Sequence, residues 1–130
     1  YRVFYQQETD VSAASHFIRE RFFNHESIVF VAKVAETVIG FIQMYPSFSS
    51  VQAKKIFILN DLFVSADYRQ LKAGERLMHF AAAYARKQNA STLVLETMTD
   101  NFAAKSLYKK LGYEQEAGVE TYALNLQRAE

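Results

Sequence analysis

The sequence predicts a single mixed α/β domain (α+β in part): a twisted central sheet with parallel and antiparallel strands and helices on both faces. Three observations carry that expectation. The 130 residues suit one ordinary domain, and a 50% hydrophobic share is enough to build its core. Strand-like runs and three- to four-residue apolar stripes succeed one another along the chain. One run, KIFILNDLFV, is apolar on both faces, the pattern of a strand inside a sheet.

Each element follows from its own local signals. Asp10 is placed to cap a helix whose stripe is Val11, Ala14, Ile18 and Phe22, widened by Phe17 and ending near Asn24. SIVFVAKV and VIGFIQMY are β-branched runs joined by a turn at Ala35-Glu36-Thr37, which predicts a hairpin. Pro46 with Ser47, Ser49 and Ser50 breaks the pattern, so PSFSS reads as a connecting loop exposing Phe48. Residues 55–64 then form the central strand. A second helix follows on Leu77, Phe80, Ala81, Tyr84 and Ala85, ending at Arg86, Lys87 and Asn89. TLVLET is a short strand parallel to the central one, because a strand-helix-strand crossover is right-handed and parallel. Asp100 or Thr99 caps the helix NFAAKSLYKKL, which stops at Gly112, and GYEQEAGVETYALNL closes as a hairpin turning near Ala117-Gly118.

Composition removes several function classes. Fifteen Lys and Arg against fourteen Asp and Glu leave a net charge of +1, with no footprint for nucleic acid or an anionic membrane. With no cysteine there is no thiolate nucleophile, disulfide or cysteine-ligated zinc, and His16, His25 and His79 are too scattered to ligate a metal. No apolar run reaches the roughly 18 residues of a membrane span, and the start YRVFYQQETD lacks a signal-peptide layout. A cytoplasmic protein with no metal, nucleic-acid or membrane partner is the expectation.

Two polar residues, Asn60 and Asp61, interrupt the central strand. Burying either without a partner costs a few kcal/mol, so each needs a structural partner or a use. Strand alternation puts Asp61 on the face of Phe57, Leu59 and Phe63, and Asn60 on the opposite face with Ile58 and Leu62. Beyond Val64, a loop leads to a helix beginning at the small pair Ala73-Gly74. The uncapped N–H groups and dipole of such a helix start suit phosphate oxygens, although most such junctions bind nothing. No GxGxxG is present, and Gly40 is too isolated to begin a Walker loop.

The string NDLFVSADYRQLKAGERLM, followed by TDNFAAKSLYKKLGY, resembles the paired signatures of the GNAT acyltransferase superfamily. In that family the first string is an Arg/Gln-x-x-Gly-x-Gly/Ala loop holding the coenzyme A pyrophosphate. The second is an Asn-x-x-Ala-x-x-Leu-Tyr helix ending in Leu-Gly-Phe/Tyr. Asn101, Ala104, Leu107, Tyr108, Leu111, Gly112 and Tyr113 stand at those positions, and the likeness spans residues 26–126. There are two departures. Lys72 replaces the first loop glycine, at a cost of about 1 kcal/mol if its φ is positive. The family's first strand has no counterpart before Tyr1, so residues 1–130 are expected to form one N-terminally truncated GNAT domain with an exposed sheet edge, unless upstream residues or a partner subunit, as in a homodimer, cover it.

The resemblance implies an acetyl-CoA-dependent N-acetyltransferase acting by direct attack of an amine in a ternary complex. It implies pyrophosphate binding by the backbone of Gln70, Leu71, Lys72, Ala73 and Gly74, assisted by Arg69, with Asn101 and Ala104 as further cofactor-binding positions. Leu62, Phe63 and Val64 would lie beside the pantetheine, the N–H of Phe63 or Val64 would meet the acetyl carbonyl, and Tyr108 would be the acid for the leaving thiolate. Asp61 has two readings: acceptor of the amine's proton, or a strand-end carboxylate tied to backbone or to Arg69. The layout is also similar to the diamine and thialysine acetyltransferases, which have an acidic residue here and accept small amines. The acidic Asp61 with Glu96, and Glu120 near, favours a compact cation such as a polyamine, amino acid derivative or amino sugar, against an apolar wall of Tyr45 and Phe48; peptide N-terminal amines are the other acceptor class. The competing readings are a non-catalytic acyl-CoA-binding or regulatory module, and a protein-interaction domain that binds no coenzyme A.

Overall fold

A computed structural model describes residues 11–127 of the chain. They fall into two compact units, one through Met98 and one from Thr99. In the first, α1 (Val11–Phe23) precedes β1 (Ile28–Val34), β2 (Thr37–Ser49), β3 (Lys54–Val64), a 3-10 turn (Ala66–Leu71), α2 (Ala73–Lys87) and β4 (Leu93–Leu95). The strands lie in chain order, β1-β2-β3-β4, with two antiparallel pairings followed by a parallel one between β3 and β4. This is the expected mixed sheet flanked by helices, with residues 55–64 in an interior strand. The Asp10 cap and the question of a first strand concern the chain ahead of Val11, outside the described residues.

The β1–β2 hairpin turns through Ala35 and Glu36, with Ala35 at φ 53°. Strand β2 runs further than expected: PSFSS is not a loop, because β2 continues through Pro46 to Ser49 and pairs with β3 as far as Lys54. Pairing with β1 ends at Met44, so Pro46 lies where β2 has a neighbour on one side only, the position where a missing N–H is tolerated.

One face of the sheet packs on α2. Ile42, Met44, Phe57 and Leu59 meet Leu77, Met78, Ala81 and Ala85, all buried, and the Tyr84 ring stands edge-on to Phe30 and Phe57 at 5.6 and 5.7 Å. Two expectations about the helix stripes change here. Phe80 is 62% exposed, and Met78 takes its place in the core because the contact face is centred on Leu77, Ala81 and Ala85. Phe17 and Phe22 on α1 are also about half exposed, and Phe17 instead carries the Arg21 guanidinium over its face at 4.9 Å.

In the second unit α3 (Phe102–Lys110) is capped not by Asp100 or Thr99 but by Asn101, whose Oδ1 accepts the Ala104 N–H at 3.3 Å. Gly112, at φ 92°, takes the left-handed position just past Leu111, as expected. The closing hairpin is absent: residues 112–127 hold no strand, although Gly118 bends the chain at φ 79°. Alternating Tyr122, Leu124 and Leu126 stand exposed, because an apolar alternation forms a strand only when a paired neighbour buries one face.

Candidate active site

The site in the first unit originates in a defect of the sheet. Pairing of β2 with β3 steps from Met44↔Leu59 to Gln43↔Asp61, so Asn60 is the extra residue of a β-bulge. A bulge reverses the alternation beyond it. Asp61 therefore shares a face with Gln43, Tyr45 and Phe63, while Phe57 and Leu59 point to the other side, toward α2. The expected grouping of Asp61 with Phe57 and Leu59 fails for that reason. Asn60 does not point away from Asp61 either: its Nδ2 donates to Asp61 Oδ2 at 3.2 Å.

Asp61 is 8% exposed, and a second amide, Gln43 Nε2, donates to the same Oδ2 at 2.6 Å. Both donors fall on one oxygen. Gln43 is completely buried, and its Oε1 has no hydrogen-bond partner among the described residues. Tyr45 lies beside this pair, its phenol pushed above its ordinary value of 10.0 first by burial and then by the Asp61 carboxylate; Glu26 adds to the rise and Arg21 opposes it. Arg21 is itself held by Glu20 at 2.7 Å and Glu26 at 3.4 Å. The other candidates for a substrate wall are placed differently. Phe48, 77% exposed, alternates onto the face opposite Tyr45, and Glu96 is an exposed residue just past β4.

The bulge also redirects the backbone. Before it, Phe57 N–H bonds Thr92 O on the β4 side at 3.1 Å; after it, Ser65 N–H bonds Ile39 O on the β2 side at 2.7 Å. Alternation then turns the Phe63 N–H toward β2 and the Leu62 and Val64 groups toward β4. Pairing with β4 ends at Leu59↔Leu95, the last residue of β4, so Leu62 and Val64 lie beyond the last β3–β4 pair. Arg69 Nε reaches this edge and bonds Val64 O at 3.1 Å, rather than bonding Asp61. Gly40 lets the strands approach here: a Cβ on it would meet Phe63 O at 2.7 Å.

Gln70 and Leu71 close the 3-10 turn, and Lys72 follows at φ 56°, ψ 28°, the left-handed conformation that the family's glycine would adopt freely. Lys72 is the N-cap of α2 and supplies no side-chain cap, so the first N–H groups of the helix, from Ala73 and Gly74 on, lack that partner. A helix start without a side-chain cap, led by the exposed Lys72, fits an anionic diphosphate. In the second unit Asn101 caps α3 through Ala104, and the half-buried Tyr108 ring lies 6.0 Å from that of Tyr113. Glu120 accepts the Tyr122 hydroxyl at 3.1 Å. Among the described residues no helix is long and apolar enough to cross a membrane, and no group of three His, Cys, Asp or Glu could hold a metal ion.

A model of the acetyltransferase (GNAT) family matches residues 1–113. The chain belongs to that family. It is 45% identical over 126 residues to the uncharacterized N-acetyltransferase YhfO of Bacillus subtilis (strain 168), spanning 97% of this chain and 85% of that protein. The crystal structure of a probable acetyltransferase superposes with a TM-score of 0.90 at 30% identity, over 99% of this chain and 87% of that one. The fold alone is shared with AAC(6')-Iy in complex with the bisubstrate analog CoA-S-monomethyl-acetylneamine, at 18% identity and a TM-score of 0.77 over 89% of this chain and 81% of that one. This GNAT chain is thus an acetyl-CoA-dependent N-acetyltransferase.

Sequence reasoning missed Gln43. Its signal was present, a lone amide between Ile42 and Met44 in an apolar strand, but nothing in the strand tells which carboxylate it faces until the register is known.

Proposed function

We propose that this GNAT enzyme acetylates a small cationic primary amine by direct attack within a ternary complex. The observation that carries the reading is the buried carboxylate at the bulge: Asp61 receives Gln43 and Asn60 on Oδ2 and has no partner on Oδ1 among the described residues. Acetyl-CoA supplies the acetyl group as a thioester. The backbone of Gln70–Gly74, with the Lys72 ammonium, is suited to the diphosphate, and Asn101, Ala104 and Arg69 are assigned to the same carrier by the family motif. The Val64 N–H, rather than that of Phe63, is the donor to the acetyl carbonyl, since the bulge turns it toward the β4 side, beyond the last β3–β4 pair. The attacking nitrogen is neutral, its ammonium proton having gone to solvent; as it bonds to the carbonyl carbon and the carbon–sulfur bond breaks, Asp61 Oδ1 accepts the proton it sheds. Tyr108 returns a proton to the departing thiolate, a role resting on its place in Asn101-x-x-Ala104-x-x-Leu107-Tyr108. The chain has no cysteine to carry an acyl group.

The carboxylate and the neighbouring Tyr45 ring favour a cationic acceptor over a neutral one. The test is thiol release from acetyl-CoA with 1,4-diaminobutane and, separately, with a neutral peptide bearing a free N-terminus. Asp61→Asn should reduce diamine turnover by about 10²–10⁴-fold, the usual worth of a general base. Equal loss on both acceptors would remove Asp61 from substrate choice. Ping-pong kinetics would contradict direct attack, and coenzyme A binding without product from any amine would favour a non-catalytic module.

A further inference from the structure

Outside the atoms that meet substrate, the least explained group in the first unit is Gln43. It is fully buried in β2, its flanking residues Ile42 and Met44 are apolar, and its Oε1 has no hydrogen-bond partner among the described residues. A position that needed only packing would take another apolar residue, since a buried amide with half its hydrogen bonds unmade is costly. The orientation of the amide is settled by chemistry: a carboxylate only accepts, so the NH₂ group must face Asp61 and the carbonyl oxygen is left over. The register places Gln43 directly across from Asp61, immediately beyond the bulge that turns Asp61 to this face.

We infer that Gln43 is a positioning residue for the reaction, pinning Asp61 Oδ2 so that Oδ1 is held toward the incoming amine. The inference rests on the reading of Asp61 as proton acceptor. Asn60 assists on the same oxygen, but from the bulge itself and at 3.2 Å against 2.6 Å, so Gln43 is the tighter and more rigidly seated of the two. Because one amide oxygen stays unsatisfied, the strand gives up stability to keep the carboxylate in one orientation, a pattern found where geometry serves a reaction.

The experiment uses the whole chain with acetyl-CoA and 1,4-diaminobutane, and compares wild type, Gln43→Met, Gln43→Glu, Asp61→Asn and the Gln43→Met/Asp61→Asn double variant. Gln43→Met keeps the volume and removes the donor. It should lower kcat about tenfold, a part of the 10²–10⁴ that a general base supplies, with KM for acetyl-CoA unchanged and the melting temperature kept or raised. In the double variant the Gln43 change should add nothing to the Asp61→Asn loss, because its effect passes through Asp61. Gln43→Glu sets a second carboxyl against Asp61 in nearly the same shape, so the acid limb of the kcat/KM profile should move up by about one pH unit or more. The other titratable groups of the cluster, Tyr45 on β2 and Arg21 and Glu26 at and beyond the end of α1, are the same in every variant. Wild-type kcat in Gln43→Met, or an unmoved pH profile in Gln43→Glu, overturns the role of Gln43 when Asp61→Asn is strongly impaired. Full turnover by Asp61→Asn overturns instead the reading of Asp61 on which it depends.

Discussion

Lys72 stands where the family's loop carries glycine, and replacing it separates two effects that the native residue combines. Its backbone sits at φ 56°, ψ 28°. For a residue with a Cβ that conformation costs roughly 1–2 kcal/mol. Glycine relieves the strain but frees the unfolded chain, which takes back about 0.4–1 kcal/mol. Lys72→Gly should therefore stabilise the protein by about 0.5–1 kcal/mol, a rise of about 2–4 °C in melting temperature for a chain of this size. The same change removes an exposed ammonium from the start of α2. An exposed charge contact contributes about 0.2–1 kcal/mol, so coenzyme A should bind about 1.4- to fivefold more weakly, and the difference should shrink as salt rises. Lys72→Ala is the control: it keeps the Cβ and loses the charge, so affinity should fall equally with no gain in melting temperature. Thermal unfolding monitored by circular dichroism and calorimetric titration with coenzyme A read the two effects separately. A lower melting temperature for Lys72→Gly would refute the strain argument, and unchanged affinity in both variants would refute charge compensation.

Gly40→Ala should be disproportionately harmful for one methyl group. The new Cβ would lie 2.7 Å from Phe63 O and 3.2 Å from Val64 Cγ2, so β2 and β3 must separate at the strand end assigned to the acetyl carbonyl; a stability loss of about 1–3 kcal/mol by denaturant unfolding and a lower kcat are expected. Tyr45→Phe should change the alkaline limb of stability. Burial and Asp61 raise the phenol above 10.0, so the folded chain holds this proton more tightly than the unfolded one. The resulting stability is complete below pH 10 and is lost as pH climbs through the folded-state value. Urea midpoints measured from pH 9 to pH 11.5 should fall less steeply in Tyr45→Phe, and equal slopes would show that the phenol is not perturbed.

Much of the fold follows from patterns local enough to act within a few residues. The two-sided apolar run of β3, the hairpin before it, the parallel return at Leu93–Leu95 and the stop of α3 at Gly112 each depend on side-chain period or backbone freedom at one place. The loop motif likewise points to the left-handed residue at position 72. What tertiary structure alone decided is everything that depends on a partner strand. Whether Pro46 belongs to a loop or a strand turns on where β1 ends, and whether Tyr122, Leu124 and Leu126 form a strand turns on what pairs with them. The face of Asp61 turns on one inserted residue, Asn60, which period-2 counting along β3 cannot detect because a bulge exists only as a mismatch between two strands. That mismatch is what sets Gln43 against Asp61 and turns the Val64 N–H toward the β4 side.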